Sequence, residues 1–246
     1  MKDFFSTFHI LDFPVSFRIL GFGESLKSTI DKIGNLGYEG VSAAIAREDQ
    51  LPTPTDEDKM VIILVDESID KAISVAKRFY QAGSLTLIIS TQPIDNNSKF
   101  CDAQTMVRSE DMLVPVKGIL DILLGQGYIN LDFNDVACVL RNSVFYKVVE
   151  VTGIGKEEER IADAISKIEG TISTEEMSSV KNILISIIYN RDIQPPVNVG
   201  EIKYLVDYIS HLPEEVNAIW GIFHDEKMPT DEVRLSVIVS GKELKP

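Results

Sequence analysis

In the first ninety positions, continuous apolar runs alternate with segments in which apolar residues recur at helical spacing. The runs predict strands over residues 17–21, 41–46, 60–65 and 85–90. The spacing predicts helices over residues 24–34 and 69–79. The strand over 60–65 is apolar at every position, which is typical of a strand buried on both faces of a parallel sheet. This βαβ alternation predicts a doubly wound α/β domain.

A central helix is predicted next. Apolar residues there recur with helical spacing, and Pro115 stands where a first helical turn tolerates proline. Gly125 and Gly127 are predicted to end this helix. A polar loop, Asn130 to Asp132, then leads into a second helix that starts near Phe133. The apolar positions of the central helix are Val116, Ile119, Leu120, Leu123 and Leu124.

The second half of the chain also alternates, and it predicts a second α/β unit with a mixed sheet. The last two strands are joined by residues 225–231, which is short enough for an antiparallel, hairpin-like connection. Residues 91–109 show no periodicity and are predicted to form a loop. The predicted strands span residues 144–152, 180–188, 217–223 and 233–240, and the predicted helices span 157–168 and 199–209. The predicted domains are 1–108, a central helix over 109–128, and 129–246.

Composition and charge narrow the function. The 246 residues are 44% hydrophobic, enough for one large core or two modest ones. The net charge of −14 disfavours nucleic acid and anionic lipid as partners. No apolar run reaches the roughly 20 residues that a bilayer helix needs, and the acidic start does not fit a secretory signal. We therefore expect a cytoplasmic protein without direct membrane contact.

The cysteines and histidines give no sign of a metal site. Cys101 and Cys138 form no CxxC pair. His9, His211 and His224 lie far apart in the sequence and share no ligand spacing. No metal is predicted.

The loop over residues 130–135 carries the most distinctive chemistry, and two interpretations of it stay open. Asp132 can cap the following helix, and Asp135 fits its first turn, where negative charge is favoured. Alternatively, an amide and two carboxylates can position reacting groups. The loop by itself does not decide between capping and chemistry.

The loop resembles a signature of the FtsZ/tubulin family, division GTPases that polymerise head to tail. Residues 130–136 read N-L-D-F-N-D-V and match all five fixed positions of the family pattern N-x-D-F-x-D-V. Residues 155–160 resemble the family's G-E-D-R turn, and residues 231–241 resemble its closing strand. The resemblance covers residues 116–241 and continues more weakly over 17–93. It implies a tubulin/FtsZ-like two-domain α/β fold.

The resemblance also implies a mechanism divided between subunits. In the family the first domain binds GTP, and this loop of a neighbouring subunit enters the nucleotide pocket. By that resemblance Asp132 and Asp135 match the catalytic acidic positions. Asn130, Asp132, Phe133 and Asp135 would then form the interface with a partner, which is FtsZ or a second copy of the chain.

The family's two glycine-rich phosphate turns are not intact here. Glycine matters there because it lets backbone N–H groups converge on an anion. The first turn keeps only Gly21 and Gly23 and adds Glu24. The second, over residues 66–71, contains no glycine and carries three acids that would favour the start of a helix. Those acids are Asp66, Glu67 and Asp70.

Acids in both turns would repel a nucleotide. Two unit charges about 4 Å apart interact by roughly 4 kcal/mol at an effective dielectric of 20. We therefore predict a degenerate FtsZ-like protein that has lost GTP binding and associates through residues 130–135. The alternative is an active GTPase that binds GTP with Mg²⁺. A third reading is that the acidic residues hold a divalent cation.

Overall fold

The structure, a computed structural model, describes residues 16–47, 49–95, 99–155 and 159–242. Within these ranges the chain forms ten strands, which belong to one sheet, and seven α-helices. The strands are β1 (Ser16–Phe22), β2 (Val41–Ile45), β3 (Asp58–Val65), β4 (Leu85–Ser90), β5 (Ala103–Met106), β6 (Gln126–Ile129), β7 (Phe145–Gly153), β8 (Val180–Tyr189), β9 (Asn217–His224) and β10 (Val233–Gly241). The helices are α1 (Lys27–Gly34), α2 (Ile69–Gln81), α3 (Leu113–Leu124), α4 (Phe133–Leu140), α5 (Arg160–Thr171), α6 (Thr174–Ser179) and α7 (Val199–Ser210).

The sheet has the order β2-β1-β3-β4-β5-β7-β10-β8-β9-β6. The first five strands are all parallel. Alternate residues of β3 face opposite layers, so Ile62 packs with α1 and α3 while Ile63 packs with α2. Helices on both faces explain why the strand is apolar throughout. The predicted doubly wound domain is confirmed.

The remaining five strands form the mixed part of the sheet. β10 is antiparallel to both β7 and β8, β9 is parallel to β8, and β6 is antiparallel to β9. The two parts of the sheet meet where β5 and β7 pair through Gln104 and Phe145. A parallel sheet, a central helix and a second mixed unit match the predicted fold class.

The last two strands run antiparallel as predicted, but the predicted hairpin pairing between them is wrong. β9 and β10 do not pair, because β8 lies between them. A short connection is compatible with a hairpin, but it does not forbid crossing one intervening strand. Three short elements were also missing from the prediction: β5 within the segment predicted as a loop, β6 after the central helix, and α6 before β8.

Other differences concern element ends. The predicted start of a helix at residue 157 lies outside the described residues, and α5 begins at Arg160. Of the two glycines predicted to end the central helix, Gly125 follows its last residue, whereas Gly127 lies inside β6. None of the described helices is long and apolar enough to cross a membrane.

Helix α3 is fixed to both parts of the protein by a polar network as well as by apolar packing. Asp121 of α3 accepts a hydrogen bond from the Tyr38 hydroxyl and pairs with Lys117. Arg234 of β10 lies 3.5 Å from Asp121 and 3.3 Å from Asp225. Burial is the main cause that raises the pKa of Tyr38 above its ordinary value, so this hydroxyl stays protonated and donates. The network therefore joins the loop after α1 to the second unit through the central helix.

Candidate functional site

The two turns predicted from the sequence come together at one edge of the parallel sheet. β1, β3 and β4 run in the same direction, so the segments that follow them leave the sheet side by side. These segments contain Gly23, Asp66 and Thr91. Ligands of open parallel sheets bind beyond the carboxyl ends of the strands, so this edge is a candidate binding site.

Asp66 occupies the centre of this edge. Its carboxylate accepts hydrogen bonds from Ser25 Oγ at 2.5 Å and from Thr91 Oγ1 at 2.8 Å. The hydrogen bond from Ser25, and then that from Thr91, lower the pKa of Asp66 below its ordinary value. The second turn thus holds a negative charge at Asp66, which is fixed by Ser25 of the first turn and by Thr91.

Three backbone donors at this edge are also engaged within the chain. The N–H groups of Asp66 and Glu67 both donate to the Phe22 carbonyl, at 3.1 and 3.0 Å, and the N–H of Leu26 donates to the Gly23 carbonyl at 3.2 Å. Gly23 has a φ of +136°, and a Cβ there would lie 3.3 Å from the Glu67 nitrogen. The first turn consequently packs directly onto the second.

The other residues of the two turns have separate surroundings. Gly21 lies inside β1, and a Cβ on it would lie 2.9 Å from Ile45 and 3.0 Å from Ile30. Only Asp70 lies in the first turn of α2, because the helix begins at Ile69. The expectation that Asp66 and Glu67 also occupy that turn is wrong. The described residues include no group of three or more His, Cys, Asp or Glu side chains that could hold a metal ion.

We predict that the Ser25→Ala/Thr91→Ala variant raises the pKa of Asp66 toward its ordinary value of about 3.9. Both hydroxyls favour the charged carboxylate, so the folded-state pKa lies below the unfolded one. Their stabilising contribution is therefore present above about pH 4 and is lost as the pH falls through the folded-state pKa. Carboxyl-carbon NMR titration measures the shift. Ser178→Ala, whose hydroxyl donates to the Glu175 carbonyl, is the control and should leave Asp66 unchanged.

The loop over residues 130–135 forms a capping box at the start of α4. Asp132 accepts hydrogen bonds from the N–H groups of Asn134 and Asp135, at 2.7 and 3.0 Å. Asp135 accepts from the N–H of Asp132 at 2.8 Å. Capping therefore accounts for both carboxylates within the chain, and it also holds them rigidly in one orientation.

The other two residues of the loop differ in exposure. Asn130 is exposed, whereas Phe133 is partly buried and stacks on Phe17, with ring centroids 6.1 Å apart. Phe17 is near the amino end of β1, and Gly23 follows its carboxyl end. At about 3.3 Å per residue, β1 separates the loop from the turns by roughly 20 Å. One molecule thus carries the loop and the two turns at opposite ends of the sheet.

Sequence reasoning missed Ser25, Thr91 and the Phe22 carbonyl as partners of the second turn. Ser25 lies inside the first turn, and its hydroxyl was the one sign in the sequence that this turn could donate a hydrogen bond to the second. Thr91 opens the segment without periodicity, and nothing in the pattern places it beside Asp66. Both contacts depend on how the strands pair.

Comparison with known proteins finds FtsZ proteins both by sequence and by structure. No family model matches the chain. It is similar to cell division protein FtsZ 1 of Thermococcus kodakarensis, with 30% identity over 139 residues, which cover 55% of this chain and 35% of the relative. It is also similar to cell division protein FtsZ 1 of Halobacterium salinarum, with 22% identity over 275 residues, which cover 95% of this chain and 67% of the relative. The match thus spans about a third of the length of the first of these relatives.

Solved structures have the same fold. A single-residue variant of FtsZ from M. jannaschii superimposes with a TM-score of 0.74 at 16% identity, over 93% of this chain and 91% of that one. An empty FtsZ dimer from M. jannaschii gives 0.70 at 17% identity, over 92% and 88%. At these identities the structural likeness establishes the fold.

Proposed function

We propose that this chain is a member of the FtsZ/tubulin family that acts in FtsZ-type filament assembly in cell division, as a subunit that docks through residues 130–135 without binding or hydrolysing GTP. Its partner is a true FtsZ in the cytoplasm of the same cell. The protein would add to a filament at one face only and so cap or modulate it.

One observation carries the loss of nucleotide binding: the Asp66 carboxylate occupies the edge where a phosphate would have to lie. This carboxylate already accepts hydrogen bonds from the hydroxyls of Ser25 and Thr91. The Asp66 and Glu67 N–H groups are committed to the Phe22 carbonyl. A phosphate would have to displace these bonds and meet a carboxylate that keeps its charge, because hydrogen bonding lowers the pKa of Asp66.

The polarity of the molecule supports docking at one face. The loop and the turns lie at opposite ends of the sheet, which is the arrangement needed for a head-to-tail, heterologous contact. The capping box presents Asp132 and Asp135 already ordered, so association does not have to immobilise them. The relative solved as a dimer is an FtsZ, which supports an FtsZ subunit as the partner.

Titration of the full chain with a fluorescent GTP analogue tests the first part of the proposal. We expect no saturable signal with millimolar protein in the presence of Mg²⁺. Binding near micromolar affinity, worth roughly 8 kcal/mol, would contradict the proposal and favour an active GTPase. That second candidate has its own support, because Asp132 and Asp135 keep the family's acidic positions. It further predicts GTP turnover that disappears in Asp135→Ala.

Light scattering and co-sedimentation with the FtsZ of the same organism test docking. The informative variant is Asn130→Arg, because Asn130 is exposed and takes no part in the capping box. The matched control is Gln92→Arg, which makes the same change of charge at an exposed position beside the acidic turns. We expect the wild-type chain and the Gln92→Arg variant to change FtsZ polymerisation. The Asn130→Arg variant should leave FtsZ polymerisation as it is without the added protein. Equal behaviour of the two variants, or no effect of the wild type, would exclude docking through this loop.

A further inference from the structure

A large cavity lies beside the junction of β5 and β7. Its volume is about 820 Å³, within the usual range of small-molecule sites. The first unit contributes the ends of β4 and β5 and the start of α3, and the second contributes β7, α6 and the start of β8. None of the residues 21–26 or 66–71 lines it, so the cavity is separate from the two turns.

The lining is mostly apolar. Val114 at the start of α3 is 38% exposed and Met106 at the end of β5 is 61% exposed, so both contact the cavity from its open side. The deeper apolar contacts include Ile94, Phe145, Val148, Ile172, Val180 and Val239. Such a lining favours a molecule that is itself largely apolar.

Two lining residues carry buried polar atoms that lack a hydrogen-bond partner among the described residues. The Gln104 amide donates through Nε2 to the Ile94 carbonyl at 2.7 Å, which fixes its orientation and leaves the buried Oε1 unpaired. Tyr146 is only 1% exposed, and its hydroxyl is also unpaired. A buried polar group without a partner costs about 1–3 kcal/mol, so a ligand that supplies the partner gains affinity.

Charge excludes anions as the natural occupants. Lys147 is the one cation among the described lining residues, and it is paired with Glu176 at 2.9 Å. Asp111, two residues before α3, is paired with Arg108, which lies outside the lining. Glu175 adds a further carboxylate to the lining. No unpaired positive charge is thus available there for a phosphate or a carboxylate.

We propose that this cavity binds a small, uncharged, largely apolar molecule that donates a hydrogen bond to Gln104 Oε1. The site is independent of the proposed docking loop and of nucleotide binding. Because residues of both units line it, an occupant fixes the two units against each other and raises the melting temperature.

Three probes with one ring system test the site on the full chain by ligand-detected NMR: 1-naphthol, 1-methoxynaphthalene and naphthalene-1-sulfonate. We expect 1-naphthol to bind about fivefold more tightly than 1-methoxynaphthalene, because only 1-naphthol can donate to Gln104. Gln104→Leu should remove this preference. The sulfonate should not bind. Equal affinities of the two neutral probes for the wild type, or comparable binding of the sulfonate, would overturn the assigned chemistry.

A bulky substitution tests the location. Val114→Trp should fill the open side of the cavity and weaken 1-naphthol binding at least tenfold. Val199→Trp is the matched control, because Val199 also lies in the first turn of a helix and is 83% exposed away from the cavity. Melting curves establish that each variant is folded, and Met106→Trp replaces Val114→Trp if the latter is not. No binding to the wild type at millimolar probe, or equal loss in the control, refutes the site.

Discussion

Replacing Glu201 by alanine is expected to lower the free energy of unfolding by roughly 3–5 kcal/mol, because it leaves a buried guanidinium without its counter-charge. Arg160 Nε lies 2.9 Å from Glu201 Oε1, and its NH2 lies 3.1 Å from Oε2. The two side chains are 1% and 0% exposed. The pair joins α5 to α7, and Arg160 also donates to the Pro195 carbonyl at 2.9 Å. Urea denaturation followed by circular dichroism measures the loss.

Two further variants separate the ion pair from a general effect of truncation. Glu214→Ala removes an exposed glutamate from the loop after α7 and should change the stability by less than about 0.5 kcal/mol. Arg160→Met/Glu201→Leu removes both charges and should recover most of the loss, since a buried pair replaced by apolar side chains of similar size is often neutral. A double variant as unstable as Glu201→Ala would show that the cost comes from lost packing instead.

Arg160 also shows what a resemblance in sequence can predict about a residue and what it cannot. The G-E-D-R-like turn drew attention to this arginine, but its middle, residues 156–158, lies outside the described residues. The structure explains the arginine through Glu201, 41 positions further along the chain. Nothing in a local pattern connects the two residues. The motif could be found from the sequence, whereas its structural role could not.

The same distinction applies to the fold. Strands with long apolar runs, such as β3 and β4, were predictable because burial on both faces leaves a continuous signal. β5 and β6 have four residues each and include polar or glycine positions, so they have no periodicity to detect. Their strand state depends on pairing with partners that are already in place. Tertiary context decides such short segments.

The candidate site was likewise predictable only in part. Gly23 and Asp66 were assigned to adjoining turns from the order of strands and the family resemblance, and the structure brings them together. The hydroxyls that hold Asp66 were not predicted, because Ser25 and Thr91 are 41 and 25 positions away from it. Whether residues 130–135 serve catalysis or docking stays a prediction, since capping already explains their contacts within one chain.

Gly127→Ala is expected to displace β6 and the loop that follows it, with a loss of about 2–3 kcal/mol in the free energy of unfolding. A Cβ at Gly127 would lie only 1.8 Å from the Ile222 carbonyl oxygen of β9 and 2.8 Å from the Phe223 Cα. Both contacts are backbone atoms, so neither can rotate away. β6 pairs with β9 through a register shift between Gly127 and Ile129, and Asn130 follows directly. The added methyl group therefore has to move the strand that positions the docking loop.

Gly170→Ala provides the control, because Gly170 lies in α5 and a Cβ there would meet nothing within 4 Å. That change should be neutral or stabilise the protein by up to about 1 kcal/mol, since alanine is the better helix former. Under the proposed function, Gly127→Ala should also weaken the effect on FtsZ polymerisation, measured at a temperature where the variant is folded, and Gly170→Ala should leave it unchanged. Unaltered stability and docking in Gly127→Ala would mean that β6 does not lie against β9 as the structure has it. Reduced stability with full docking would instead show that docking does not depend on the position of β6. That result would weaken the case for residues 130–135 as the interface.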